Sequence, residues 1–400
     1  MPQPASRIIS LDALRGVGIL GILPVHVQSF AMVVAARLNP AVGGNLDGAN
    51  GWIWLVTAVL ADGKFLAIFA MLFGAGLLLL SARGAGDVER LHHRRMALLG
   101  GIGLLHAYLL WYGDMLVTFA LCGALVFGLR ALPPRRLLTT GALALACASV
   151  IALGLGASMP WWPEDVRAGF RQVWAPSPEM VAREVAAYRG GWVGQMAYRA
   201  PEAFQIETSQ LVLRGLWQTS GLMLIGMGLF KLGVLTAARS TRFYAGMSAL
   251  GFGVGGPLAW AGVARSRARG FDLDDFMLVG TQLSYWGDLA LGLGFVGLVM
   301  LLCRLGWRAR AVAAVGRTAL SNYLLQTLLC TTIFYGHGLG LFGRVDRAGQ
   351  LLTVLGVWTV QLAGSVWWTR RFAVGPLEWA WRTAARGAAG VPTSRAPAER

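Results

Sequence analysis

Charge is scarce in this chain: Asp, Glu, Lys and Arg make up 14% of its 400 residues, and the acidic residues number only 19. A domain dissolved in water needs a larger polar surface, so an ordinary soluble fold is excluded. The four cysteines, Cys122, Cys147, Cys303 and Cys330, fall in or at the ends of apolar segments without paired spacing, and read as small core residues. Histidines are equally few. The adjacent pair His92 and His93 would point to different helix faces, so no metal centre is expected. Also missing are the ten-residue alternating strands of a membrane barrel.

What is present is 56% hydrophobic residues and 54 glycines, arranged in apolar segments of about twenty residues, the length a helix needs to cross a bilayer. The reading is an all-α polytopic membrane protein of about ten transmembrane helices. They fall near 9–34, 64–80, 96–111, 115–129, 137–157, 209–229, 243–263, 276–303, the segment after Arg317, and 351–368. The stretch GWIWLVTAVLAD is too short to cross and suits an interfacial position.

The net charge is +16, yet its basic residues lie between apolar segments instead of forming one patch, which argues against a nucleic-acid partner and for a lipid one. Lys and Arg concentrate in cytoplasmic loops, so the clusters at 83–95, 130–136, 231–242, 304–317 and after Arg370 are assigned inward, with both termini cytoplasmic. That pattern suits a bacterial-type inner (plasma) membrane. Asp12 and Arg15 interrupt the first apolar run, so it is read as a permanent span and not a cleaved signal. The division expected is a five-span half over 1–157, an extracytoplasmic amphipathic element over 158–208, a second five-span half over 209–385, and a disordered tail over 386–400. The outer element could be a lid, an acceptor surface or a passive cap.

The first span, DALRGVGILGILPVHVQSF, carries an arginine and a histidine where neither is cheap. Arg15 and His26 are eleven residues apart, about three turns, and so share one helix face roughly 16 Å apart. Pro24 between them removes a backbone hydrogen bond and frees a carbonyl. His26 is therefore a candidate catalytic base, or a buried histidine bonded to that carbonyl. His106 lies mid-span, Asp114 either caps a helix or serves the site, and Asp288 falls near the bilayer midplane, where it must be paired, protonated or wet. Asn322 and Gln326 sit one turn apart, as amides that join neighbouring helices often do.

Taken in order, LDALRGVGILGIL, FAMLFGAG, RRMALLGGIGLLHAYLLWYGDML, GRTALSNYLLQTLLCTTIFYGHGLGLFG and GPLEWAWR resemble the YeiB-type family, domain-of-unknown-function family 418, within the wider transmembrane acyltransferase group. The resemblance covers nearly the whole chain. It implies transfer of an acyl group, from acyl-CoA on the cytoplasmic side, to a hydroxyl or amine presented outside. YeiB-like proteins commonly place asparagine where this chain has His26, whereas acyltransferase-3-type enzymes share an arginine, ten residues, then histidine, as Arg15 and His26 do. On that reading Arg15, Arg94 and Arg95 dock the CoA phosphates, His26 is the base, Asp288 or Asp114 orients it, and Asn322, Gln326 and His106 serve the oxyanion. The alternative is a transporter of a small or anionic solute, with the same buried charges lining its path.

Overall fold

The computed structural model describes residues 8–44, 46–81 and 88–386, and every regular element in them is helical. The tail expected to be disordered, beyond Arg386, and part of the basic cluster at 83–95 lie outside the described residues. The helices are α1 (Ile9–Ala31), α2 (Val34–Leu38), α3 (Gly48–Leu60), α4 (Lys64–Ser81), α5 (Val88–Leu109), α6 (Leu116–Val126) and α7 (Pro134–Ser158). After them come α8 (Glu164–Trp174), α9 (Pro178–Arg189), α10 (Met196–Gln205), α11 (Leu216–Lys231), α12 (Thr241–Ala268), α13 (Leu273–Asp275) and α14 (Thr281–Arg304). The chain closes with α15 (Arg310–Arg317), α16 (Ala319–Phe334), α17 (Arg347–Thr369) and α18 (Pro376–Arg386). Wider π-helical turns over Ile206–Gly215 and Phe276–Gly280 lead into α11 and α14.

Among the described residues, six stretches are long and apolar enough to cross a bilayer: Ile9–Ala31, Gly48–Ser81, Pro134–Trp161, Thr241–Ala268, Leu273–Arg304 and Arg347–Thr369. The remaining expected spans fall short for visible reasons. α6, α11 and α16 are brief, and α5 begins with Glu89, Arg90, Arg94 and Arg95. The outer surface agrees with lipid contact: Leu143 and Val150 on α7, Leu250 and Val254 on α12, and Leu352 and Leu355 on α17 are all exposed. Large apolar side chains at helical spacing on an outward face are costly in water and at home in hydrocarbon. This is a multi-pass membrane architecture.

The segment GWIWLVTAVLAD forms α3, which runs into α4 after a break at Ala61–Gly63, where Gly63 adopts a positive φ of 77°. Glycine is needed there twice over, because a Cβ would lie 2.2 Å from Oδ2 of Asp288.

Small residues set how closely the helices cross. A Cβ on Gly251 of α12 would come within 2.4 Å of the Gly294 Cα on α14, and one on Gly255 within 2.6 Å of the Leu291 amide. With Ala259 one turn further, this is a small-xxx-small seam, which brings backbones together where hydrophobic driving force between helices is weak. α4 and α11 cross in the same way, Gly74 against the Met223 carbonyl and Gly226 against that of Met71.

The amphipathic element over 158–208 folds as α8, α9 and α10 and is pinned to the bundle by hydrogen bonds. The Val34 amide donates to Glu184 Oε1 at 2.9 Å, Arg189 Nε to the Phe342 carbonyl at 2.7 Å, and Trp192 Nε1 to the Leu109 carbonyl at 2.8 Å. Arg199 is fully buried and donates to the Tyr108 carbonyl at 2.9 Å and that of Leu110 at 3.5 Å, closing the exposed end of α5.

Candidate active site around His26

α1 continues through Pro24 as one helix. The carbonyl that Pro24 leaves without its usual amide belongs to Leu20, and Trp358 of α17 donates to it through Nε1 at 2.9 Å. One residue earlier, Gln326 Nε2 donates to the Ile19 carbonyl at 2.9 Å. These two bonds satisfy the α1 backbone next to Pro24 from neighbouring helices, so the His26 ring is not consumed in doing so. The imidazole is half-buried and makes no hydrogen bond among the described residues. Its ring centroid lies 4.8 Å from that of Trp111 and 6.4 Å from that of Tyr323.

Both neighbours carry unspent polar atoms. Among the described residues, Trp111 Nε1 is buried without a partner, and the buried Tyr323 hydroxyl is approached by the Met115 backbone without meeting hydrogen-bond geometry. A buried donor left unsatisfied is costly, and it is uncommon enough in folded proteins to ask for an explanation. Here two donors border a histidine that is itself unpartnered.

Behind this layer stands a second histidine. His106 Nδ1 lies 2.8 Å from Asp114 Oδ1 and its Nε2 lies 2.9 Å from Thr327 Oγ1, with His106 and Asp114 side chains both 1% exposed. Asp114 Oδ2 also accepts from the Val117 amide at 2.9 Å, so this carboxylate caps the start of α6 and holds the imidazole at once. The His106 ring lies 5.2 Å from Tyr323 and 6.2 Å from Trp111, which places the dyad against the same two aromatics that face His26. Asp114 thus orients His106, and it makes no bond to His26.

Asp288 is elsewhere. Its Oδ1 is 2.6 Å from Lys64 Nζ, which also donates to the Ala58 carbonyl at 2.8 Å, and Lys64 has no exposed side-chain surface. Phe65 packs against Gly21 of α1, so this pair sits near the middle of the helix but off the face that carries His26. Asn322 donates to Thr318 Oγ1 at 2.7 Å and Ser365 Oγ at 2.8 Å, while Gln326 also donates to Gln361 Oε1 at 3.0 Å. These amides join α16 to α15, α17 and α1. Gln326 Oε1 remains buried and unpartnered among the described residues.

Three turns before His26 on α1, Arg15 is half-buried and pairs with Asp12 at 3.3 Å. The Arg95 guanidinium lies 4.4 Å over the Trp381 ring of α18, and Arg94 is exposed. His92 is buried, stacked on Phe127 at 3.8 Å and 3.1 Å from the Gly123 carbonyl, while His93 is exposed on another face. Sequence reasoning missed Lys64, Trp111, Tyr323, Thr327 and Trp358. Only HAYLLWYGD carried a usable signal, since a histidine, a tryptophan and an aspartate bracket one helix end there.

The comparisons identify the lineage. A family model described as "Protein of unknown function (DUF418)" matches residues 229–388. "Uncharacterized protein YeiB" of Escherichia coli (strain K12) is 34% identical over 97% of this chain and 99% of the relative. The chain belongs to that family. "Uncharacterized protein YxaH" of Bacillus subtilis (strain 168) is 27% identical over 94% of each chain, and the "Uncharacterized 39.9 kDa protein in amylase 3'region" of Bacillus acidopullulyticus is 26% identical over 94% and 93%. No solved structure matches the chain. The matched C-terminal region contains α12, α14, α16, α17 and α18, whereas His26, His106 and Asp114 lie outside it and are spanned by the full-length relatives.

Proposed function

We propose that this chain is an acyltransferase embedded in a bacterial-type inner membrane by about ten spans, with both termini cytoplasmic, and that His26 is its base. The observation that carries this reading is the unpartnered His26 imidazole between two unspent buried donors, Trp111 Nε1 and Tyr323 Oη. A hydroxyl or amine acceptor from the outer side gives its proton to neutral His26 as its oxygen or nitrogen attacks the thioester carbonyl. The C–S bond then breaks and the thiolate of CoA recovers the proton from the imidazolium. Trp111 and Tyr323 donate to the oxyanion during the attack, a role the expectation gave to Asn322, Gln326 and His106. Those three are engaged in bonds between helices, so they position the site, with His106 held by Asp114 and steadying Tyr323. Arg15, Arg94 and Arg95 supply positive charge for the CoA phosphates at the inner face.

The test is thioester turnover by detergent-purified protein with acetyl-CoA and a panel of hydroxyl and amine acceptors. His26→Ala should keep donor binding and lose turnover by about 10²–10⁴-fold. Turnover retained in the variant would remove His26 from the chemistry.

One observation favours the second reading, transport of a small or anionic solute. The Lys64–Asp288 ion pair stands beside the α3–α4 break at Ala61–Gly63, and interrupted helices with buried charges are where transporters bind their cargo. Solute uptake into proteoliposomes without any acylated product would decide for it.

A further inference from the structure

Arg347 opens α17, and its guanidinium is out of place by every local rule. Its side chain is almost fully buried, with the residue 3% exposed, and its Nε and Nη2 atoms meet no hydrogen-bond acceptor among the described residues. It stands at a helix N-terminus, where the dipole already disfavours a cation. Its neighbour Asp346 does not neutralise it: Oδ1 accepts from the Gly349 amide at 2.9 Å and Oδ2 from Asn50 Nδ2 at 3.3 Å. A buried charge without a partner costs several kcal/mol, so proteins that keep one give it a counter-ion.

Two cavities meet at this residue. A pocket of about 380 Å³ lies between the start of α17, the end of α1 and α9, walled by Met32, Val33, Val181, Val185 and Val345, with Arg344, Asn50 and the already engaged Asp346 on the polar side. A small void of about 20 Å³, bordered by Gln28, Thr57 and Gln350, lies on the other side of Arg347. Gln350 Oε1 is also buried without a partner among the described residues. The larger volume suits a small molecule, and its lining suits one with an apolar body and a charged head.

We propose that this outer pocket binds a small amphiphile bearing a carboxylate or phosphate, with the oxyanion paired to the Arg347 guanidinium and the apolar part against Val181, Val185 and Val345. The site stands independently of the chemistry assigned to His26. It begins only about 9 Å along α1 from that residue, on the outer side.

The test uses the full-length protein in neutral detergent, with octanoate and octyl phosphate as probes and thermal unfolding and calorimetric titration as readouts. The probes should raise the melting midpoint of the parent. Arg347→Met should bind them about tenfold more weakly or worse, consistent with the loss of charge-assisted bonds, and should melt no lower than the parent without probe, since the cation it removes has no partner. Should that variant fail to fold, Val185→Trp, which fills the pocket from α9, must abolish the probe-induced shift. Reconstitution into nanodiscs of phosphatidylcholine with or without phosphatidylglycerol separates the sources. Stabilisation by free probe in phosphatidylcholine assigns a solute, and stabilisation by phosphatidylglycerol alone assigns a lipid headgroup. Equal shifts in parent and variants, or none in any arm, overturn the proposal.

Discussion

Two buried regions of this molecule are built on opposite plans. Around His26, α1, α16 and α17 are joined by side chains: Trp358 and Gln326 reach the α1 backbone, Gln361 donates to the Asn322 carbonyl, and Asn322 reaches Ser365. Around Asp288, α12 and α14 touch through glycine, with almost no side chain between them. The difference teaches where a membrane bundle can keep a reactive group. A seam of glycines holds helices at contact distance and leaves no room for a ligand. Bridging amides and indoles hold them apart at fixed spacing, and a half-buried ring such as His26 can then lie among unspent donors.

The largest expected effect falls in the second region. Lys64→Met leaves the Asp288 carboxylate without its partner and should cost about 3–5 kcal/mol, while the double replacement Lys64→Met with Asp288→Leu should recover most of it. Urea or thermal unfolding in detergent measures both. If the single change is harmless, the pair is not a structural tie and the contrast between the regions weakens. Gly255→Leu comes next, since its side chain would meet the Leu291 amide, and a loss of about 1–3 kcal/mol or a failure to insert is expected. Turnover per folded molecule should be nearly unchanged, which separates the packing seam from the site.

A smaller effect, on the other plan, is Trp358→Phe. It strands the Leu20 carbonyl and should cost about 1–2 kcal/mol, and on the proposed function turnover should fall because the α1 backbone before His26 loses its brace. The smallest effect belongs to the element formed by α8, α9 and α10. Burial lifts the Glu184 carboxyl from 4.5 to about 7, with the Val34 amide opposing the rise and Glu202 adding to it. The folded chain therefore holds a proton that the unfolded chain has released between those values, and stability is greatest below about 4.5 and declines as pH rises towards 7. In Glu184→Gln that part of the pH–stability curve should flatten, as followed by thermal unfolding between pH 4 and pH 8 in the two proteins.

Much of this was legible in the sequence and some was not, for definable reasons. The helical membrane architecture follows from hydropathy and charge placement, and Arg15 and His26 share a face because one helix imposes its own period. His106 and Asp114 are eight residues apart across the break at Tyr112–Gly113, so no helical spacing links them, and only the folded turn brings Oδ1 to Nδ1. Lys64 passed as the boundary of a span, although its charge lies within the bundle against Asp288. Trp111, Tyr323 and Trp358 are aromatic residues in apolar runs, where one that spends its polar atom on a distant backbone cannot be told from one that fills space.

The last helix has a bearing on how the protein is made. Glu378 accepts from the Leu320 amide at 2.7 Å, the Ser321 amide at 3.2 Å and the Ser321 hydroxyl at 2.6 Å, capping α16 from almost sixty residues downstream. The helix that supplies Tyr323 and Thr327 therefore leaves the ribosome before the carboxylate that completes its first turn has been synthesised. Assembly of the His26 region ends only when translation reaches residue 378, and nascent chains stopped short of it insert their apolar segments around an unfinished centre.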